Sequence, residues 1–187
     1  MNQPSIKEIL ITSKKLNVLY VEDNKEARES TFLMLNNFFK KVVLATNGLE
    51  GLELYENYFY EKNHYFDIVI SDIEMPKLDG ISMSKSIYKI NNEQKIIIIT
   101  SYSDKDYLID LIKLGVDGFI QKPLSFNQIT DVVMNICDSY KKESIIRLDN
   151  EYTFDKIQKL LFRGNEKITL HYNELKLLDY FHLIINI

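Results

Sequence analysis

The sequence predicts an α/β protein built on an open, parallel five-stranded sheet, followed by a small segment of short strands and one helix. Three observations carry this reading. From Leu16 to about Lys142, short apolar runs alternate with amphipathic stretches, the pattern of repeated βα units. The runs VLYV (18–21), IVI (68–70) and IIII (96–99) are apolar without alternation, as parallel strands buried on both faces are. Four runs stop at polar residues, namely Glu22 with Asp23, Asp72, Thr100 and Lys122. Residues just past the carboxyl ends of such strands converge on one crevice.

The elements follow in order. Residues 1–15 form an extension with Ile6, Ile9 and Leu10 at helical spacing behind Pro4, which predicts a docked helix. Strands are expected at 17–21, 41–45, 67–71, 96–100 and 118–121, and helices near 25–38, 47–60, 80–91, 104–114 and 126–140. In the first of these helices Ala27, Phe32, Leu35 and Phe38 or Phe39 share one side, with Lys25, Glu26, Arg28 and Glu29 toward solvent. Gly48 and Gly115 mark loops or helix ends, and KLDG (77–80) reads as a turn. The five units occupy 16–140, and a polar junction follows at 141–144. Beyond it, strands are expected at 145–148, 152–155, 159–162 and 166–170, then a helix from about Tyr172 with Leu175, Leu178, Phe181 and Leu183 or Ile184 apolar. That tail, 145–187, offers a thin core for a domain of its own.

Composition narrows the function classes. At 45% hydrophobic and 27% charged, the chain reads as globular rather than disordered. A net charge of -4 gives no general reason to expect nucleic-acid or anionic-membrane binding. Cys137 is the sole cysteine, so intramolecular disulfides and cysteine metal sites are excluded. It falls among Ile129, Val132, Val133 and Ile136, the place of a buried structural thiol. No run approaches the length of a membrane span and no signal peptide is evident, so a cytoplasmic location is expected.

The chemistry lies in the strand ends. Glu22 and Asp23 are adjacent acids, and either Asp23 or Asn24 could simply cap the helix that begins near Lys25. Asp72 alone could be a turn residue ahead of Pro76. Together in one crevice, three carboxylates repel unless a cation offsets them. A hard divalent ion such as Mg²⁺ suits oxygen ligands and keeps waters, so two or three protein oxygens suffice; the backbone carbonyl of Glu74 could add one. Asp72 then reads as a nucleophile able to form an aspartyl phosphate. Thr100 would donate a hydroxyl to a phosphoryl oxygen, and Lys122 would serve as counter-ion and phosphate ligand. The Lys122–Pro123 bond is a candidate for the cis form.

These residues resemble the receiver domain of two-component response regulators: the acid pair Glu22–Asp23, the phosphoacceptor Asp72, Met75–Pro76 with Asp79–Gly80 behind it, Thr100, and Lys122–Pro123. The resemblance covers about 16–140. It implies a doubly wound, flavodoxin-like sheet in the order 2-1-3-4-5, dependence on Mg²⁺, and phosphotransfer from a cognate histidine kinase to Asp72. It also gives Phe119 the role of a switch aromatic. When Thr100 moves toward the phosphoryl group, the ring turns inward and the face of helix 4 (104–114), strand 5 (118–121) and helix 5 (126–140) changes.

The tail resembles the opening of an OmpR-type winged-helix output domain, with ITLHYNELKLL (168–178) matching the start of that domain's first helix and His171 in place of the usual threonine cap. No recognition helix is reached. Residues 145–187 hold six basic and six acidic side chains, so they carry no basic footprint. DNA is therefore a partner only for a longer form with a complete output domain. A homodimer through the helix 4–strand 5–helix 5 face is also implied. The Glu expected near Gln128 and the Arg expected near Val132 for its salt bridges are absent, however.

The leading expectation is a phosphorylation-switched regulator of transcription; the alternative is a signalling adaptor that acts through protein contacts alone. An enzyme of the aspartate-nucleophile phosphatase kind would need a second Asp where Glu74 stands. Nucleotide binding has no Gly-rich loop to support it.

Overall fold

A computed structural model describes residues 6–101, 105–155, 159–174 and 176. The chain divides into two compact units, Met1–Asn135 and Ile136–Ile187.

The first unit opens with helix α1 (Ile6–Ser13) and then alternates strand and helix: β1 (Asn17–Val21), α2 (Lys25–Phe38), β2 (Lys41–Ala45), α3 (Gly48–Lys62), β3 (Ile68–Asp72), α4 (Gly80–Ile90), β4 (Lys95–Thr100), α5 (Lys105–Leu114), β5 (Gly118–Gln121) and the first part of α6 (Phe126–Ser144), whose residues from Ile136 on belong to the second unit. The five strands are parallel and lie in the order β2-β1-β3-β4-β5. β1 and β3 are buried at every position, and β4 at all but Lys95. That burial on both faces is why these strands lack a polar alternation. One face packs Leu19, Val21, Val69, Ile96 and Ile98 against Tyr55 of α3, Met83 and Ile87 of α4, and Leu111 of α5. Strand alternation turns Val18, Tyr20, Ile70 and Ile97 to the other face, where Phe38 of α2 meets Phe126 of α6 at 5.2 Å between ring centroids. Each fully buried Ile or Leu contributes about 1.5–3 kcal/mol of transfer free energy. The apolar sandwich is thus what fixes the register of the strand ends.

Helix α6 continues through 141–144, the stretch expected as a linker. Lys141, Lys142 and Glu143 are good helix formers, and no Gly or Pro interrupts them. The second unit carries an antiparallel sheet, β6 (Ile145–Arg147), β7 (Tyr152–Asp155), β8 (Leu160–Arg163) and β9 (Glu166–Ile168), in chain order. Helical residues follow at Tyr172–Glu174. There the Glu174 carboxylate accepts the His171 backbone N–H at 2.7 Å, one half of a capping box. Leu175, Leu178, Phe181, Leu183 and Ile184, expected on the apolar side of that helix, lie outside the described residues. Among the described residues, no helix is long and apolar enough to cross a membrane.

Candidate functional site

The site sits at the carboxyl ends of β1, β3, β4 and β5. Glu22 directly follows β1 and is fully buried, its backbone N–H donating to Ala45 O at 3.1 Å. Asp72 ends β3 and Thr100 ends β4, and both are buried. The register brings Thr100 opposite Gln121, with the Lys122 N–H donating to Thr100 O at 2.7 Å. Lys122 is therefore delivered to the two acids by the strand pairing. Its Nζ donates to Glu22 Oε2 and to Asp72 Oδ2, each at 2.8 Å. The Lys122–Pro123 peptide is cis.

Carboxylate oxygens of Glu22, Asp23 and Asp72 lie within 4.8 Å of one another. Asp23 is free to join them because its neighbour does the capping: Asn24 Oδ1 accepts the Ala27 N–H at 3.0 Å. Burial raises the pKa of Glu22, and the charge of Asp72 adds to the rise; the bond from Lys122 offsets part of it. Burial alone would lower the pKa of Lys122. Its bonds to Asp72 and Glu22 outweigh that and hold the ammonium charged to higher pH. One ammonium thus faces three acids, and the charge deficit together with the oxygen donors fits a hard divalent ion such as Mg²⁺.

The β3–α4 loop walls the other side. Asp72 Oδ1 accepts the Ile73 N–H at 2.8 Å, and Gly80 N donates to Ile73 O at 2.8 Å. A Cβ at Gly80 would stand 1.9 Å from Asp72 O, so only glycine lets the loop close this tightly. Lys77 takes a left-handed φ of 68° in the same turn. Asp79 caps α4, accepting the Ser82 N–H at 2.8 Å; that bond and the Ser82 hydroxyl outweigh partial burial and hold its carboxyl below the usual range. A groove of about 610 Å³ opens between Asp23, Glu74, Met75, Pro76 and Asp79.

The structure thus brings Glu22, Asp23, Asp72 and Lys122 together, with Thr100 on the adjoining strand end. Glu74 is exposed at the groove wall. Phe119 lies on β5 opposite Ile98, and its ring is 53% exposed, so it is not a core residue in this state. One sequence expectation is overturned. Arg28, expected among the solvent-facing residues of α2, is half-buried, and its Nη1 donates to Glu22 O at 2.7 Å and to Asp23 O at 3.0 Å. Periodicity along a helix reports which face meets the core. It does not register a side chain that reaches back past the helix's first turn to the preceding connection.

Comparison with known proteins agrees with this fold. The model of the response regulator receiver domain matches residues 18–134. The transcriptional regulatory protein RprY of Bacteroides fragilis is 27% identical over 88% of this chain and 69% of its own length. The transcriptional regulatory protein ZraR of Klebsiella oxytoca is 29% identical over 64% of this chain, a match that spans only 26% of ZraR. Among solved structures, a Borrelia burgdorferi CheX–CheY complex with BeF3 and Mg²⁺ is 28% identical with a TM-score of 0.59, covering 65% of this chain and 88% of that one.

Proposed function

Because this chain belongs to the response regulator receiver family, we propose that it is the phosphoacceptor partner of a cognate histidine kinase, with Asp72 as the residue phosphorylated. The observation that carries the reading is Lys122, bound to both Glu22 and Asp72 beside a third carboxylate. In the transfer, an Asp72 carboxylate oxygen forms a bond to phosphorus while the phosphorus–nitrogen bond of the kinase phosphohistidine breaks. The electron pair leaves with the imidazole nitrogen. Glu22, Asp23, Asp72 and the backbone carbonyl of Glu74 would hold Mg²⁺, which supplies the positive charge that lets two anions approach.

The chain's own residues do the rest. Lys122 exchanges its bond to Asp72 for one to a phosphoryl oxygen, and the Thr100 hydroxyl donates to another. Phe119 then follows Thr100 inward, and the surface of α5, β5 and α6 changes. This surface is the helix 4–strand 5–helix 5 face of the sequence reading. Coupling of this kind requires that phosphate contacts favour one of two arrangements. The output is control of transcription in a cytoplasmic regulator, with DNA contacted only by a complete output domain in a longer form; RprY, whose name assigns it such a role, matches across both units. A homodimer through the switched face is the expected active form.

The test is phosphotransfer from a labelled histidine kinase, with Mg²⁺ and with the metal chelated. Label reaching the chain only with Mg²⁺ is expected. Transfer that proceeds equally under chelation would sink the metal's role.

A further inference from the structure

Resting on the reading of Asp72 as a Mg²⁺-dependent phosphoacceptor, we propose that Arg28 is a positioning residue for the metal site, clasping the backbone that carries Glu22 and Asp23. The pair stands on a short connection between β1 and α2, and Asp23 is exposed. Glu22 is well held. Its Oε2 accepts from the Tyr20 hydroxyl at 3.4 Å and from Lys122, and its Oε1 accepts the Asn24 N–H at 3.3 Å. No hydrogen bond to the Asp23 carboxylate is seen among the described residues. What fixes Asp23 is its main chain, and the group that grips it is the Arg28 guanidinium. One Nη1 donates to the Glu22 and Asp23 carbonyls, which flank the Asp23 Cα, at 2.7 and 3.0 Å.

The location of Arg28 sharpens the case. It occupies the first turn of α2, where the helix dipole disfavours a cation. A bare positive charge beside a cation site also opposes metal entry. Both effects argue against Arg28 on charge alone. The two carbonyl bonds are what the position gains. They satisfy strand-end acceptors and fix where the Asp23 carboxylate can point. A residue that orients a ligand without touching the metal acts on affinity rather than on the chemistry at Asp72.

The charge and positioning roles predict opposite signs. Mg²⁺ is titrated calorimetrically into the wild-type, Arg28→Ala, Arg28→Gln and Arg28→Lys chains without phosphodonor, and thermal melts are recorded in parallel. Positioning predicts roughly tenfold weaker Mg²⁺ binding for Arg28→Ala, a smaller loss for Arg28→Lys, and faster amide exchange at Asp23–Lys25 in the metal-free variant. Labelling by acetyl phosphate should recover to near the wild-type rate at saturating Mg²⁺. Unchanged or tighter Mg²⁺ binding in a cooperatively folded variant overturns the proposal. Should Arg28→Ala lose its cooperative melt, Arg28→Gln and Arg28→Lys decide by the same criterion. A wild-type chain that binds no Mg²⁺ overturns the parent reading and this one with it. Wild-type binding matched by Arg28→Ala overturns only the role of Arg28.

Discussion

At the amino ends of the strands, Asp67 accepts the Asn17 backbone N–H at 2.6 Å and its side-chain amide at 3.1 Å, and Asp117 accepts the Ile96 N–H at 2.8 Å. Gln94 bridges the Tyr55 hydroxyl and the Asp67 carbonyl. At the carboxyl ends of the same strands, Glu22, Asp23 and Asp72 crowd together with one lysine among them. Both clusters are acidic, yet they differ in what the backbone offers. A parallel strand presents unpaired N–H groups at its start, and a carboxylate there finds donors. At its finish it presents carbonyls, and the carboxylates there take their donors from the following turn and from Lys122. At the amino ends each acid has its own donors, with Lys95 also 3.6 Å from Asp117; at the carboxyl ends three carboxylates share one lysine. The polar residues that fold the chain and those proposed to react are separated along the strand axis.

The largest expected effect falls on the reacting end. Asp72→Asn should abolish labelling by acetyl phosphate while leaving the thermal midpoint unchanged or raised, because a repelling charge is removed. Persisting label would erase the contrast between the two ends. Next, Mg²⁺ at about a hundred times its Kd should stabilise the fold by about 2.7 kcal/mol. That increment should survive Asp67→Ala and shrink in Asp23→Ala, as read by melts with and without metal. At the folding end, Asp67→Ala orphans two donors of Asn17 and should cost about 1–3 kcal/mol. Phosphoryl uptake should persist at temperatures where the variant is folded.

The smallest effect concerns pH. The Asp79 carboxyl is held below its ordinary value of 3.8, chiefly by Ser82 once the opposing burial is overcome. A depressed carboxyl contributes stability above the unfolded value and loses it as pH falls through the folded one. Asp79→Ala should therefore cost about 1 kcal/mol at neutral pH. The gap between the two denaturation curves should close on acidification below 3.8.

The sequence exposed the sheet because apolar runs buried on both faces leave a signal that needs no partner to read. It exposed Glu22, Asp23, Asp72, Thr100 and Lys122 as strand ends for the same reason. What it hid depends on how short connections fold against the elements they join. The grip of Arg28 on two carbonyls exists only once its side chain reaches back from α2 to the end of β1. The closeness of Gly80 to Asp72 requires the loop to double back. The exposure of Phe119, given by the sequence only the role of a switch aromatic, is likewise not legible in the run FIQ. The extent of α6 to Ser144 is hidden because Lys and Glu suit a junction and a helix equally well.

The central claim is that phosphate rests on Asp72. After incubation with acetyl phosphate and Mg²⁺, borohydride reduction converts an aspartyl phosphate to homoserine, and peptide mass mapping finds the converted residue. The account predicts homoserine at Asp72 alone, dependent on Mg²⁺. Conversion at Asp23, or none at any aspartate under labelling conditions, would contradict it.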